Sequence, residues 1–441
     1  MADSDDPTGE MSDGLQVELF HPESDREPGD TNIQAAGFDI HPVVFPVALV
    51  IIALFIAVTI LLGDTAASAY TWLFNTIGDT FGWFYLLAVN VFIITLLYFA
   101  FSKYGNIRIG GVEAEKEFSD FSWMAMLFSA GMGIGVIVFS VSEPMSGLQT
   151  VPPFFAGVES GTSEAGKAAL VQTFFHWGLA PWGIYALVGL GLGFFSYNRG
   201  LPLTFRSIFW PVLGDRIYSW PGHLIDILAV FATVFGLATS LGLGVQQANT
   251  GVAIVGEQLI GSTIPETTWM QVILISVITL IATASVIAGL EKGVKRLSRM
   301  NAFLMIGLLV FLLLAGPTLY LLGGFISALG TYATSLVDLH FYTGTFAGDS
   351  ATGWLGFWTF FYWAWGIAWS PFVGMFIARI SKGRTIREFV GGVLVVPTLF
   401  GVLWFSTFGG AALFAQFNGG DILTVLNEQG QATVIYTMLS Y

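Results

Sequence analysis

Apolar residues run along this chain in long unbroken stretches rather than in the alternation of a helix or strand with one wet face. Nine stretches reach the roughly 18 residues that cross a bilayer as a helix. They lie near 42–62, 82–102, 121–142, 168–196, 225–250, 268–290, 301–323, 354–379 and 390–415. A further segment, near 325–350, mixes Asp338, His340 and Asp349 with aromatics and reads as an amphipathic helix on the membrane surface. The pattern predicts an all-α, polytopic membrane bundle spanning 40–415, followed by an external C-terminal segment at 416–441.

Basic residues orient the predicted spans, because Lys and Arg in short loops stay cytoplasmic. With the N-terminus inside, the inner loops take Lys103, Arg108 and Lys116, then Arg199, Arg206 and Arg216, then Lys292, Lys295, Arg296 and Arg299, then Arg379, Lys382, Arg384 and Arg387. Of the 16 basic residues only Lys167 falls outside. The expectation is a multi-pass protein of the plasma membrane with a cytoplasmic N-terminus.

Composition agrees with the pattern: 54% hydrophobic residues, 10% charged and a mean hydropathy of +0.73 over 441 residues describe one membrane domain rather than several soluble ones. Residues 1–39 differ, with acidic side chains from Asp3 to Asp39 against a single Arg26, and read as a disordered cytoplasmic tail. This tail and the net charge of −14 suit a cytoplasm of high ionic strength, as in a halophile. No cysteine is present, which removes disulfide and thiolate chemistry. The five histidines lack the spacing of metal ligands, and no nucleophile–base pair stands out, so neither an enzyme nor a cofactor is expected. Basic residues confined to short loops argue against nucleic acid as a partner.

Three features carry the chemistry. Gly131, Gly133 and Gly135 within five residues interrupt the third span around Met132, and unwound backbone in a membrane must line a protein cavity. Its carbonyls can hold Na⁺ and its amides a carboxylate, although glycines spaced four apart also serve close helix packing. Trp177, Trp182 and Tyr185, counted at 100° per residue, fall on one side of a single helix, where their faces can attract an onium group. An interfacial aromatic belt is the plainer alternative. In the eighth span Trp365 and Trp369 share a face beside Gly366, and Ser370-Pro371 is expected to free backbone groups. Two interrupted spans, five apart, are what inverted-repeat transporters place around a midplane site. Glu143, near the end of the third span, reads as a brace for a helix end in preference to a proton relay. Thr233, Thr239 and Ser240 in the fifth span are ion ligands or bond to their own backbone, the latter favoured for Thr239 and Ser240.

The stretches AGMGIGVIVFSVSEP, HWGLAPWGIYALVGL and FYWAWGIAWSPFVGMFIARISKGRTIREF resemble the betaine/choline/carnitine transporter family over nearly all of the chain beyond the acidic tail. The resemblance implies five-plus-five inverted-repeat architecture after two extra helices, uptake of a trimethylammonium-type solute by Na⁺ or H⁺ symport or by exchange, and a homotrimer. It implies an aromatic box from Trp177, Trp182 and Tyr185, with Trp363, Trp365 and Trp369 matching the tryptophans of the eighth span. Ser129 and Met132 would supply half of a sodium site, and Gly131 to Gly133 the backbone toward the solute. Gly366 stands where betaine carriers usually carry another tryptophan, which implies a bulkier or differently shaped solute. Thr233 matches one threonine of a second sodium site, but Leu237 replaces the other, against two-sodium coupling. Three further spans usual in the family are not found before Tyr441, so the second repeat reads as incomplete. A truncated, non-transporting solute sensor is the alternative expectation.

Overall fold

The computed structural model describes residues 29–35, 37–131, 133–262, 264–289 and 293–441, without the side chains of 128–131. Residues 1–28 of the acidic tail lie outside the described residues. Beyond them a short strand pair forms: β1 (Ile33–Ala35) pairs antiparallel with β2 (Phe38–Ile40). Gly37, at φ +83°, takes the left-handed turn conformation that glycine tolerates best, and Asn32 donates to the Asp39 carboxylate at 2.8 Å.

All other regular structure is helical. The principal helices are α1 (Val44–Leu62), α2 (Asp64–Phe101), α3 (Asp120–Gly131), α4 (Ile134–Gln149), α5 (Ser163–Trp177), α6 (Leu179–Gly193), α7 (Trp220–Ile260), α8 (Thr268–Ile287), α9 (Lys295–Ala315), α10 (Thr318–Phe341), α11 (Asp349–Leu355), α12 (Phe361–Ile380), α13 (Ile386–Phe417), α14 (Ile422–Gln429) and α15 (Val434–Leu439). Ten helical segments among the described residues are long and apolar enough to cross a membrane. The protein is therefore an all-α, multi-pass membrane protein. The tenth segment is α10, placed on the surface by the sequence reading, which divided the same region differently and ran one span from 301 to 323. Gly316-Pro317 ends α9 and separates it from α10, because proline supplies no N–H to continue the helix.

The chain divides into two compact units. The first holds residues up to Trp123, Gly183–Gly236 and Gly356–Leu394. Here α1 meets the start of α7 through Val44, Ala48 and Ile227, and Phe55 packs edge-on against Phe235. Gly82 in α2 leaves room for the Phe360 ring, which a Cβ there would strike at 2.1 Å. Two loops of this unit are joined by backbone bonds: Ile109 N–H to Arg384 O at 2.9 Å, Gly383 N–H to Ile109 O at 2.8 Å and Ile386 N–H to Ile107 O at 2.8 Å. Side chains close the joint. Arg384 donates to Asp120 at 2.7 Å and to Phe118 O at 3.1 Å and lies 3.9 Å over the Trp123 ring, whose N–H donates to Ser381.

The second unit holds Met124–Trp182, Leu237–Leu355 and Val395–Tyr441. At its heart α4 and α5 form an antiparallel pair in close approach, since a Cβ on Gly147 would sit 2.6 Å from that of Ala169. The α10 helix lies along α5 on a narrow buried stripe of Leu321, Ala328, Tyr332 and Leu339. The segment 416–441 folds into α14 and α15, which pack on α4 through buried Ile422 and Val434. Exposure separates core from periphery: two thirds of the apolar window of α4 is buried (67%), whereas none of that of α8 is (0%). The helices expected to bear the site are thus the enclosed ones.

Candidate functional site

In the second unit the third span is interrupted where its glycines predicted. The α3 helix stops at Gly131, and α4 starts at Ile134 after Gly133, whose φ of −83° and ψ of −139° lie outside the helical region. A Cβ on Gly133 would meet no heavy atom within 4 Å among the described residues beyond its chain neighbours. Met132 lies outside the described residues, as do the side chains of Ser129 and Gly131. Beyond the break, Trp404 of α13 donates to Val136 O at 3.3 Å and braces the first turn of α4.

The polar centre of this unit is Glu143, 5% exposed on α4. One carboxylate oxygen lies 2.6 Å from His176 Nδ1, and the other accepts the indole N–H of Trp177 at 2.7 Å. His176 Nε2 in turn faces the side-chain amide nitrogen of Gln172, one turn back on α5, at 3.0 Å. The Trp177 ring is flanked by Phe139 and Phe405, at centroid distances of 5.8 and 5.3 Å. Rotation of this tryptophan is opposed by these two rings and at its nitrogen. Glu143 therefore braces another side chain rather than a helix end.

Trp177, Trp182 and Tyr185 do not share one helix as the angular count assumed. Trp177 closes α5, and Trp182 and Tyr185 belong to α6. Two residues make the interruption. Pro181 has no N–H for the carbonyl four residues back, and Gly178 adopts φ −93°, ψ −128° where a Cβ would press within 2.5 Å of Phe174 O. Burial counts against an interfacial belt, with Trp182 2% and Tyr185 8% exposed.

In the first unit α12 presents a ladder of rings. Trp365 and Trp369 stand parallel, 6.4 Å apart with planes at 4°, and Phe372 continues the stack at 6.4 Å and 8°. Gly236 on α7 lets Trp369 lie against that helix, since a Cβ there would be 3.3 Å from the Trp369 side chain. The Trp369 N–H is buried without a hydrogen-bond partner among the described residues, a costly state for a polar group. A Cβ on Gly366 would find Ile184 at 3.3 Å and the Tyr185 hydroxyl at 3.8 Å, so these two side chains fill the position of the expected extra ring. Trp363 is fully buried and turned away from the ladder, and Thr233 lies half-buried on α7.

The expected opening at Ser370-Pro371 does not occur. Pro371 deprives the Ile367 carbonyl of its helical donor, but the Ser370 hydroxyl donates to that same carbonyl at 2.8 Å and α12 runs on to Ile380. A cavity of about 710 Å³ in this unit, lined by Phe99, Ile107, Leu190, Phe194, Arg199 and Trp210 among others, contains none of the predicted site residues.

The model of the betaine/carnitine/choline family transporters matches residues 43–441. The chain belongs to that family. It is 45% identical over 387 residues to the glycine betaine transporter 1 of Vibrio parahaemolyticus, an alignment covering 87% of this chain and 71% of that protein. It is 43% identical over 367 residues to the high-affinity choline transport protein of Escherichia coli strain K12 (83% of this chain, 52% of that protein). An osmo-dependent choline transporter of Acinetobacter baylyi is 43% identical over 364 residues (82% and 51%). The chain thus spans about half the length of these two choline transporters.

Membership makes this a transporter rather than an enzyme and gives its buried aromatics a context. Sequence reasoning found the rings themselves, because tryptophan and glycine are conspicuous inside apolar runs. It missed the support beneath Trp177, because Glu143 and His176 are 33 positions apart and no local spacing announces their contact. The adjacency of His176 and Trp177 at the end of α5 was the available signal.

Proposed function

We propose that this transporter takes up an onium compatible solute, of the betaine, choline or carnitine type, by alternating access coupled to Na⁺ or H⁺. The observation that carries the reading is the Trp365–Trp369 pair, two parallel, half-buried indoles on a membrane helix, the second with a buried N–H lacking a partner among the described residues. Indole faces attract trimethylammonium groups by about 0.5 to 2 kcal/mol each, depending on desolvation. The orphan N–H suits the carboxylate of a betaine or the hydroxyl of choline. The relatives named for glycine betaine and choline carry the same chemistry in their names. Trp177, Trp182 and Tyr185 are assigned to the same task, with backbone from Gly131 to Gly133 toward the solute and Ser129, Met132 and Thr233 toward a coupling ion.

The backbone joint between 107–109 and 383–386 supports the topology. Two bonded loops lie on one side of the membrane, so the chain between them crosses an even number of times. Seven of the ten candidate segments lie between them, from Ile134–Phe155 to Asp349–Ile380. One therefore does not cross, and α10, with Asp338 and His340 near its end, is the segment assigned to the surface. Its exclusion puts the Arg379–Arg387 cluster on the side of Lys103, Arg108 and Lys116, taken as cytoplasmic together with the N-terminus.

Uptake of radiolabelled choline and glycine betaine into vesicles containing the purified protein tests the reading, under an imposed Na⁺ gradient and, separately, a pH gradient. Solute accumulation under one gradient is expected. In Trp369→Phe, which keeps a ring and removes the N–H, solute affinity is expected to fall by about three- to tenfold. Binding without flux under either gradient would favour a sensor, and absence of binding would refute the assignment.

A further inference from the structure

The cavity of about 710 Å³ in the first unit has the size of a ligand site, which runs from about 300 to 1,000 Å³. Its walls are almost wholly apolar: Phe99 from α2, Leu190 near the end of α6, and Phe194 and Ile208 from the connection between α6 and α7. Two nitrogen donors interrupt them. Arg199 lines the cavity although it is only 1% exposed, and its guanidinium lies over the Phe194 ring, 5.0 Å from the centroid. Such a contact engages the face of the guanidinium, whereas its five N–H donors lie along the edge, in the fork that matches two phosphate oxygens at once. Trp210 lines the same cavity, and its buried N–H has no hydrogen-bond partner among the described residues, a state that an incoming acceptor would relieve. A second cation stands close by, since the Lys103 ammonium lies 5.5 Å from the centroid of Tyr104, another lining ring.

Two observations favour an amphiphile over a free anion. The donors sit among rings and aliphatic side chains, which would leave a small soluble anion facing hydrocarbon on most sides. The cavity also adjoins surface of the kind that meets lipid: Phe101 at the end of α2, and Phe209 and Val212 on either side of Trp210-Pro211, are exposed apolar residues. Ile107 and Ile386, which the loop joint bonds together, line the cavity as well. It therefore lies at the ends of the spans, on the side that bears Lys103 and Arg108, at the level of lipid headgroups. We propose that this cavity seats an anionic phospholipid, its phosphate held by Arg199 and Trp210 and an acyl chain lying along Phe99, Leu190 and Ile208. The seat is separate from the ring ladder of α12, and a lipid in it ties the end of α2 and the connection after α6 to the loop joint.

Native mass spectrometry of the full chain, purified in detergent, stripped of lipid and titrated with phosphatidylglycerol, tests the proposal. Two further compounds take the lipid apart: diacylglycerol with the same chains lacks the phosphate, and glycerol phosphate lacks the chains. Wild type is expected to hold one tightly bound phosphatidylglycerol, at least about tenfold more tightly than diacylglycerol, as hydrogen bonds to a charged group provide. Glycerol phosphate in about hundredfold excess is expected not to displace it, because it forgoes burial of the chain. Arg199→Gln should bring the preference over diacylglycerol below about twofold, and Trp210→Phe, which keeps a ring and removes the N–H, should weaken phosphatidylglycerol by about three- to tenfold. Leu187→Trp fills the cavity from its wall with both donors in place and should abolish the tight lipid, which keeps the test open if Arg199→Gln fails to fold. Equal affinity for phosphatidylglycerol and diacylglycerol overturns the proposal. Displacement by glycerol phosphate overturns it in favour of a site for soluble anions, and unchanged lipid affinity in Leu187→Trp overturns it by placing the lipid elsewhere on the surface.

Discussion

Asp120 and Glu143 are carboxylates on successive helices, each bonded to nitrogen donors, yet their surroundings are opposite. Asp120 sits at the exposed start of α3 with a side chain 62% accessible, paired with Arg384 and, at 3.5 Å, with Lys116. Glu143 is enclosed on α4, its side chain 6% accessible, between His176 and Trp177. The first works where water and salt screen it, so the pair itself contributes little. The second has no such screening, and removal of the carboxylate strands two N–H donors in an apolar interior. Identical chemistry therefore serves loop closure in one unit and the bracing of a tryptophan in the other.

The sharpest way to break this comparison is to delete each carboxylate in turn. Glu143→Ala is expected to cost about 3–5 kcal/mol of stability, by leaving buried donors unpaired and a cavity beside Trp177. The check is the thermal midpoint of the purified protein in detergent, and a shift no larger than that of a surface variant would contradict the burial argument.

The contrast also explains what was legible from sequence. The glycine break after Gly131 and the paired tryptophans of α12 were readable because each is a local departure from a uniform apolar background. The helix boundary at Gly178 was not read, because a single angular count was carried across Pro181, which cannot donate to the turn behind it. The Ser370-Pro371 step was read as an opening, although a serine beside a proline can return the lost hydrogen bond. The Glu143 network and the loop joint of Arg384 both depend on contacts between distant positions. One sequence without relatives aligned to it carries no direct trace of such contacts.

Arg384 provides the intermediate case. Its side chain is only 3% accessible even though its partner Asp120 is exposed, and it covers the Trp123 ring while donating to Phe118 O. Arg384→Ala is expected to cost about 2–3 kcal/mol, more than any effect at Asp120, because the buried end of the pair loses packing and a carbonyl bond besides the charge. Thermal midpoints of the two single variants and the double variant separate these parts. If Arg384→Ala matched Asp120→Asn, the loop joint would depend on the ion pair alone.

The smallest expected effect belongs to Asp120 itself and depends on conditions. Its hydrogen bond to Arg384, reinforced by the charges of Arg384 and Lys116, holds its carboxyl below the ordinary value of 3.8. A depressed folded-state value means that the contribution is fully present above the unfolded value and is lost as pH falls through the folded one. Asp120→Asn should therefore differ slightly from wild type at neutral pH and low salt, and the difference should fade below pH 3.8. It should fade equally at neutral pH in molar salt, where the screening length contracts to about 3 Å. Thermal midpoints of both proteins, compared across these two titrations, provide the check. A difference that survived both would mean that this carboxylate acts by a route other than charge, and the exposed half of the comparison would have to be rebuilt around packing.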